Sequence, residues 1–595
     1  MSIFSVTNTN DSGIGSLRQA ISNANSKAGK DIIKFDGIFT DKISDTITLG
    51  GSSLIIEDDL SIDGTDAKLL TINGNDASRV LEIKDAIAVE IANLTITGGY
   101  SDVDTIGGGG IINFGTLNLS DSIINGNFGY LGSGIYNSGE LTLSNSTISK
   151  NLADQGGGIY NTGTLTISNS SISENGTIYN GTGGGVYNTG ILKISSSTIS
   201  DNGGGANLGG GIYNSSSGTL TVNSTTISDN NAFYYGGGIY NAGKSTVINS
   251  TISGNQITID NGGGGIYNFG VLTLSNSTIS GNQAESGGGI YNEGTTTVSN
   301  STITLNTAYN FYNIGRPGGI YNLGSGTVTV KNSIIAGNFD NFENDSTTSI
   351  NPDVGGKFIS NGFNLIGKLG SSKGFKASEQ LNVDITKVLD IKLQINGGSV
   401  KTHALVTSSR AINGGNNADI PVDITDLDGD GNTTEKIPFD QRGSGFKRLS
   451  GDKVDIGAFE VAMNVINGTA GRNKITGTVG DDIITGFQGK DILTGGHGAD
   501  KFVYRNIRDA GDIITDFKAG IDKIVLKPLF QSLSLGNLNF VMATSGGYLR
   551  FEKTGTDTMI LIDPDGSSGH GRGMKMITVK NLSVSAVNQA KNFVF

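Results

Sequence analysis

The chain has 595 residues, 93 of them Gly, with no Cys, no Trp and a net charge of −13 from 41 Lys plus Arg against 54 Asp plus Glu. No Cys means no disulfide, thiolate metal site or cysteine nucleophile, and an acidic balance with pI near 4.8 argues against nucleic acid as a partner and for cations. Six Pro and no Gly at every third residue exclude collagen, and 16 % charged residues are too few for a highly charged disordered chain.

Met1 to Gly13 holds neither the basic nor the apolar stretch of a signal peptide, so an exported chain would need another address. No run of 18 apolar residues occurs, so no transmembrane helix is expected. Ser16 is a suitable N-cap for a short amphipathic helix carrying Leu17, Ala20, Ile21 and Ala24, which would cover the open end of whatever sheet follows.

A hexapeptide, GGGIYN or a close variant, then ends at Asn113, Asn137, Asn161, Asn188, Asn214, Asn241, Asn268, Asn292 and Asn322. Each copy is followed by an alternating Gly-Thr-Leu-Thr segment and by Ser-Asn-Ser-Thr-Ile-Ser-Gly-Asn, so one repeat holds three short strands between Gly/Asn turns. A unit this short buries its faces only by stacking on its own copies. The expected fold is therefore all-β, a right-handed parallel β-helix of nine such coils, roughly 40 Å long at ~4.8 Å per coil. Ile148, Ile172, Ile199, Ile227, Ile252, Ile279, Ile303 and Ile335 share one phase and should stack inward. Three residues later, Asn151, Asn175, Asn202, Asn230, Asn255, Asn282, Asn306 and Asn338 suit an asparagine ladder that satisfies turn backbone. Tyr136, Tyr160, Tyr187, Tyr213, Tyr240, Tyr267, Tyr291 and Tyr321 make a third column. GGGIYN with Ile-x-x-Asn resembles the repeats of bacterial polymorphic outer-membrane proteins and other secreted β-helix surface proteins.

After residue 340 the period dissolves. Asp440-Gln441-Arg442-Gly443 and Asp455 to Glu460 resemble the closing segment of a β-helix family and are read as a cap. Asp426-x-Asp428-x-Asp430-Gly431-Asn432 opens like a calcium loop, but Ile437 stands where an EF-hand has Glu, which leaves a calcium loop and a solvated acidic turn both open.

From Gly468 a period of nine appears: GTAGRNKIT, GTVGDDIIT, GFQGKDILT, GGHGADKFV. Gly at the turns frees the backbone to present carbonyls, the sixth residue supplies a hard oxygen ligand, and the eighth (Ile475, Ile484, Leu493, Phe502) faces the core. The array resembles the RTX, or haemolysin-type, calcium-binding β-roll. That resemblance implies Ca²⁺ as cofactor, with ligands paired between alternate repeats: Asp482 with Asp500, and Asn473 with Asp491. Asp512 and Asp522 match the carboxylates that complete a terminal site in that family. The ending Asn592-Phe593-Val594-Phe595 resembles the C-terminal address read by type I secretion systems.

The expected organisation is 1–93, N-terminal cap and first coils; 94–340, repeat β-helix; 341–462, irregular coils and C-terminal cap; 463–526, calcium-binding β-roll; 527–595, roll cap and secretion region. No catalytic residue is assigned. The three His (His403, His497, His570) and the Gly-His-Gly triplets lie outside the main repeats, and carboxylates in the coils (Glu174, Asp201, Asp229, Asp260, Glu285) are scattered rather than paired. One interruption, Tyr309 to Pro317, brings Arg316 near Tyr309 and Tyr312 and is the place where lyase chemistry would sit. The expected function is a secreted calcium-binding extracellular or cell-surface protein of structural or adhesive type, with calcium and polysaccharide or cell-surface glycans as partners. The alternative is a lyase, epimerase or hydrolase acting on acidic polysaccharide.

Overall fold

The computed structural model describes the whole chain except residues 41–42, 66–69, 104–105, 260, 310–315, 342–351, 377–378, 380, 407–408, 479 and 569–572. Three parallel sheets of 14, 12 and 13 strands run the length of the first two thirds, each coil giving one strand to each sheet. The register is residue on equivalent residue. Leu117, Leu141, Leu165, Leu192 and Leu220 stack in one sheet, and Ile124, Ile148, Ile172, Ile199 and Ile227 in another. All these side chains point inward and are 0–1 % exposed, because a one-residue slip would turn every one of them to water. The all-β, parallel solenoid expected from the repeats is the architecture found.

The corner after the Ile column is held by the expected asparagine ladder. From Asn127 to Asn338 each side-chain amide donates to the Oδ1 of the next copy at 2.8–3.0 Å, and the same Oδ1 accepts a backbone N–H, as from Asn151 at 3.1 Å. The asparagines that close the hexapeptides form a second ladder that the repeat reading did not single out. It runs from Asn113 to Asn322 with Nδ2 to Oδ1 distances of 2.7–2.8 Å. The tyrosine column stacks face to face from Tyr136 to Tyr291 at 4.6–5.5 Å and breaks at Tyr321, whose ring stands edge-on. The glycine run preceding each tyrosine is fixed by space: a Cβ on Gly157 would lie 2.1 Å from the Gly176 carbonyl oxygen.

Helix Leu17–Asn25 caps the first coil, with Ser16 accepting from the Gln19 amide and Leu17, Ala20, Ile21 and Ala24 buried, as expected. At the other end Leu369, Phe375 and Leu381 pack on the last core residues. The residues expected to close the helix lie elsewhere, along its flank. Gln441 bonds Thr278 and Ser250 at 2.5 and 3.0 Å, Arg448 bonds Asn276 at 2.9 Å, and the Ala458 amide bonds Thr302 at 3.1 Å. The outer faces of these coils carry Ile248 and Ile334, which Ile420, Ile437 and Val454 and then Leu405, Ala411 and Ile456 cover. Burying that apolar surface draws the segment back over the flank.

The C-terminal part is a two-sheet roll. Strands Asn464–Asn467, Asp482–Thr485, Lys501–Val503, Lys523–Val525 and Phe593–Val594 make one sheet, and Lys474–Thr476, Ile492–Thr494, Asp512–Ile514 and Met574–Val579 run parallel in the other. Residues after 526, expected to be a separate cap, thus supply the last strand of one sheet and three of the other.

The asparagine ladder ends in a carboxylate, Asp353. Its Oδ1 accepts the Asn338 amide N–H and side chain at 2.7 and 2.8 Å, and its Oδ2 accepts the Lys368 N–H at 2.7 Å. Burial nevertheless lifts this carboxyl to about 6. The folded chain holds the proton more tightly than the unfolded one, so this group's contribution is most favourable below about pH 4 and declines as pH rises to about 6. Its ionisation at pH 7 costs on the order of 3 kcal/mol. Hydrogen exchange in residues 334–341 and 352–366, corrected for intrinsic rates, should quicken between pH 4.5 and 7 by roughly tenfold or more. Asp353→Asn should flatten that dependence while losing the bond to Lys368.

Candidate metal centre

Because alternate nonapeptides feed opposite sheets, their sixth residues stack into two columns. Asp482, Asp500 and Asp522 form one. The Asp482 amide donates to Asp500 Oδ1 and the Asp500 amide to Asp522 Oδ1, both at 3.1 Å. Asn473, Asp491 and Asp512 form the other, with the corresponding bonds at 2.6 and 2.9 Å. All five aspartates are 0–1 % exposed. The structure thus brings together every residue that the sequence put forward as a ligand, and joins the two pairs to Asp522 and Asp512.

The second carboxylate oxygens separate these residues. Asp482 Oδ2 accepts the Thr478 amide at 2.5 Å and closes its own turn. Asn473 does likewise, its Oδ1 accepting the Thr469 amide at 2.7 Å. Asp491 Oδ2, Asp500 Oδ2 and Asp512 Oδ2 are buried with no partner in hydrogen-bonding geometry. Two of them converge: a Cβ built on Gly486 would lie 2.6 Å from Asp491 Oδ2 and 3.1 Å from Asp512 Oδ2. Any side chain at 486 would fill that cradle.

Burial, reinforced by Asp522 and Asp482, pushes the Asp500 carboxyl up to about 8. Burial, reinforced by Asp491 and Asp509, pushes Asp512 up to about 7. Desolvated like charges one coil apart disfavour ionisation unless a cation lies among them. Hard oxygen donors of this kind, with glycine-turn carbonyls beside them, suit Ca²⁺. The residues present therefore fit the ion, best at the Asp491–Asp512 level, whereas the resemblance had paired Asp491 with Asn473.

Residues outside the nonapeptides complete the surroundings. Asp509 is 4 % exposed, accepts the Arg505 and Asn506 amides at 2.9 and 3.0 Å, and acts on the charge of Asp512. The hydroxyl of buried Tyr504 faces Asp512 closely enough to favour its ionised form, though not in good hydrogen-bonding geometry. Both lie in the interruption after the fourth nonapeptide, where the period gives no signal. Elsewhere, Asp423 and Glu435 join Asp428 in one exposed-to-buried acidic group whose oxygens lie within 4.8 Å, and Asp426, Asp428 and Asp430 form another.

At the interruption considered for lyase chemistry, Arg316 pairs with Glu285 at 2.9 Å and bonds Ser286 at 2.7 Å. Tyr309 bonds Gln283. Tyr312, Asp260 and His570 lie outside the described residues. His403 is buried between the Asp390 carbonyl and Ser280, at 2.8 and 2.9 Å.

Residues 79–257 match the family model of the right handed beta helix region, and residues 407–587 match that of the peptidase M10 serralysin C terminal. The chain is a right-handed parallel β-helix carrying a serralysin-type C-terminal domain. No curated protein matches it. The serralysin-type match begins at 407, so it takes in the segment on the β-helix flank as well as the roll. A serralysin-type domain is of the calcium-binding repeat kind, in agreement with the two aspartate columns.

Gly486→Ala is expected to lower calcium affinity of the serralysin-type domain at least tenfold in calorimetric titration, since its methyl would meet both free oxygens. Gly471→Ala, where a Cβ meets only Thr469 Oγ1 at 3.9 Å, should leave affinity within about twofold.

Proposed function

We propose that this is a secreted protein of the cell exterior, in which calcium folds the C-terminal domain and the β-helix serves as a rigid, weakly charged structural or adhesive surface. The observation that carries the reading is the pair of buried carboxylate oxygens, of Asp491 and Asp512, that converge beside Gly486 within a serralysin-type domain. Asp482, Asp500 and Asp522 form a second column of carboxylates in the other sheet, and Asn473 ends its own column without a charge. In a calcium-poor interior these carboxylates repel and hold the roll open; millimolar calcium outside binds only the folded form and shifts the balance toward it.

Export by a C-terminal address accords with this order of events. Phe593 and Asn592 are buried in the folded roll, so a machine that reads the last residues meets the chain before it folds. Deleting residues 536–595 should retain the protein in the producing cell, and appearance of the truncated chain in the medium would sink this route.

Polysaccharide or cell-surface glycans are the partners that such a surface offers to bind, through exposed aromatic rings such as Tyr100 and Phe128, which stack at 5.8 Å and are 38 % and 40 % exposed. A lyase, epimerase or hydrolase role is the less favoured reading, because the guanidinium of Arg316 is held by Glu285 rather than open to a uronate. The deciding experiment incubates the purified, calcium-loaded protein with alginate and pectate. Retention of the polymer without unsaturated or shortened products is expected; turnover that Arg316→Ala abolishes would make the protein an enzyme.

A further inference from the structure

A lysine reaches the aspartate column on the side of Asp500 and not its twin. The Lys518 amide donates to Asp522 Oδ2 at 2.7 Å and the Asp522 amide donates to the Lys518 carbonyl at 2.9 Å, which fixes the turn from which the side chain leaves. Its Nζ then crosses one coil and donates to the Gly496 carbonyl at 2.6 Å. Gly496 belongs to the turn that ends in Asp500, and its φ of +93°, in the left-handed region, aims that carbonyl where the lysine meets it. Asp516 holds the other side of this turn, accepting the Gly495 and Gly496 amides at 2.8 Å each. The ammonium therefore lies between the turns of Asp500 and Asp522, and its charge favours the ionised form of both. At the Asp491–Asp512 level neither aspartate feels such a cation.

We propose that Lys518 is the resident cation of the Asp500–Asp522 level, holding by its ammonium the turn carbonyl and carboxylate field that a calcium ion would otherwise take. An ammonium carries three donors and a single compact charge on a flexible stem. Tethered to the same coil, it is present at high effective concentration whatever the calcium level outside. The Asp500–Asp522 level is then closed without metal, while the Asp491–Asp512 level waits for it. This inference rests on the calcium-binding reading of the roll.

The test uses the full chain and Ca²⁺ itself, comparing wild type, Lys518→Met and Lys518→Arg. Lys518→Met should bind one more calcium ion per chain than wild type in equilibrium dialysis. With a chelator present, it should exchange the amides of residues 496–503 and 522–526 at least tenfold faster. Lys518→Arg keeps the charge and should retain the wild-type ion count. An unchanged ion count together with unchanged exchange in Lys518→Met overturns the proposal, as does an extra ion in Lys518→Arg. If no variant binds calcium, the calcium reading of the roll has failed; the exchange comparison in chelator still decides whether Lys518 closes that level.

Discussion

A side chain stacked on its own copy at coil spacing must be able to bond to itself, and this requirement governs both halves of the molecule. An asparagine meets it, since its amide is donor and acceptor at once, so the ladders from Asn113 to Asn322 and from Asn127 to Asn338 run without interruption and carry no charge. An aspartate column cannot meet it. Ionised carboxylates only accept, so none can bond to the next: Asp482 and Asp522 turn their second oxygen to a backbone amide of their own turn, whereas Asp491, Asp500 and Asp512 leave theirs without one. The β-helix is complete in itself, whereas the roll calls for a cation. The two ends of these columns are mirror images. Asp353 stops an amide ladder by offering only acceptors, and Asn473 stops a carboxylate column by turning its amide onto Thr469.

What the sequence revealed follows the same division. The Ile, Asn and Tyr columns and the capping helix at Ser16 were legible because stacking forces equivalent positions to be alike, and likeness is visible in one chain. The second asparagine ladder was in plain sight within GGGIYN, yet its residues were grouped with the glycines as one motif rather than as a column with bonds of its own. The flank segment was illegible. Gln441 meets Thr251 across 190 residues and Arg448 meets Asn276 across 172, and neither contact repeats. At the metal centre the period supplied four column residues, and the resemblance added Asp512 and Asp522; Asn473, lacking a carboxylate, marked the Asn473–Asp491 pair as the weaker, but where each second oxygen points was not legible. Asp509, Tyr504 and Lys518 stand outside the nonapeptides and reach the columns only through the fold.

The flank segment also changes how the two halves relate. From Asn276 on the β-helix a chain of hydrogen bonds runs through Arg448, Glu460, the Asp455 amide and carboxylate, and Asn413 to Asp481, which accepts the Ala499 amide beside Asp500. Arg448 and Glu460 are each 1 % exposed and pair at 3.0 Å. Desolvating two charges offsets most of their attraction, so such a pair adds little net stability. Its geometric demand is strict, however. Any other seating of the segment would leave a buried guanidinium or carboxylate unmatched, which costs several kcal/mol. The pair thereby selects one position of the segment on the helix, and through Asn413 and Asp481 one position of the first roll turns. Asp481 directly precedes Asp482 and bonds the residue before Asp500, so whatever orders those turns also orders their anchor on the β-helix. A cation held in the roll would then act beyond its own coil. By fixing the turns it would fix the segment that covers Ile248 and Ile334, and so tie the roll to the β-helix.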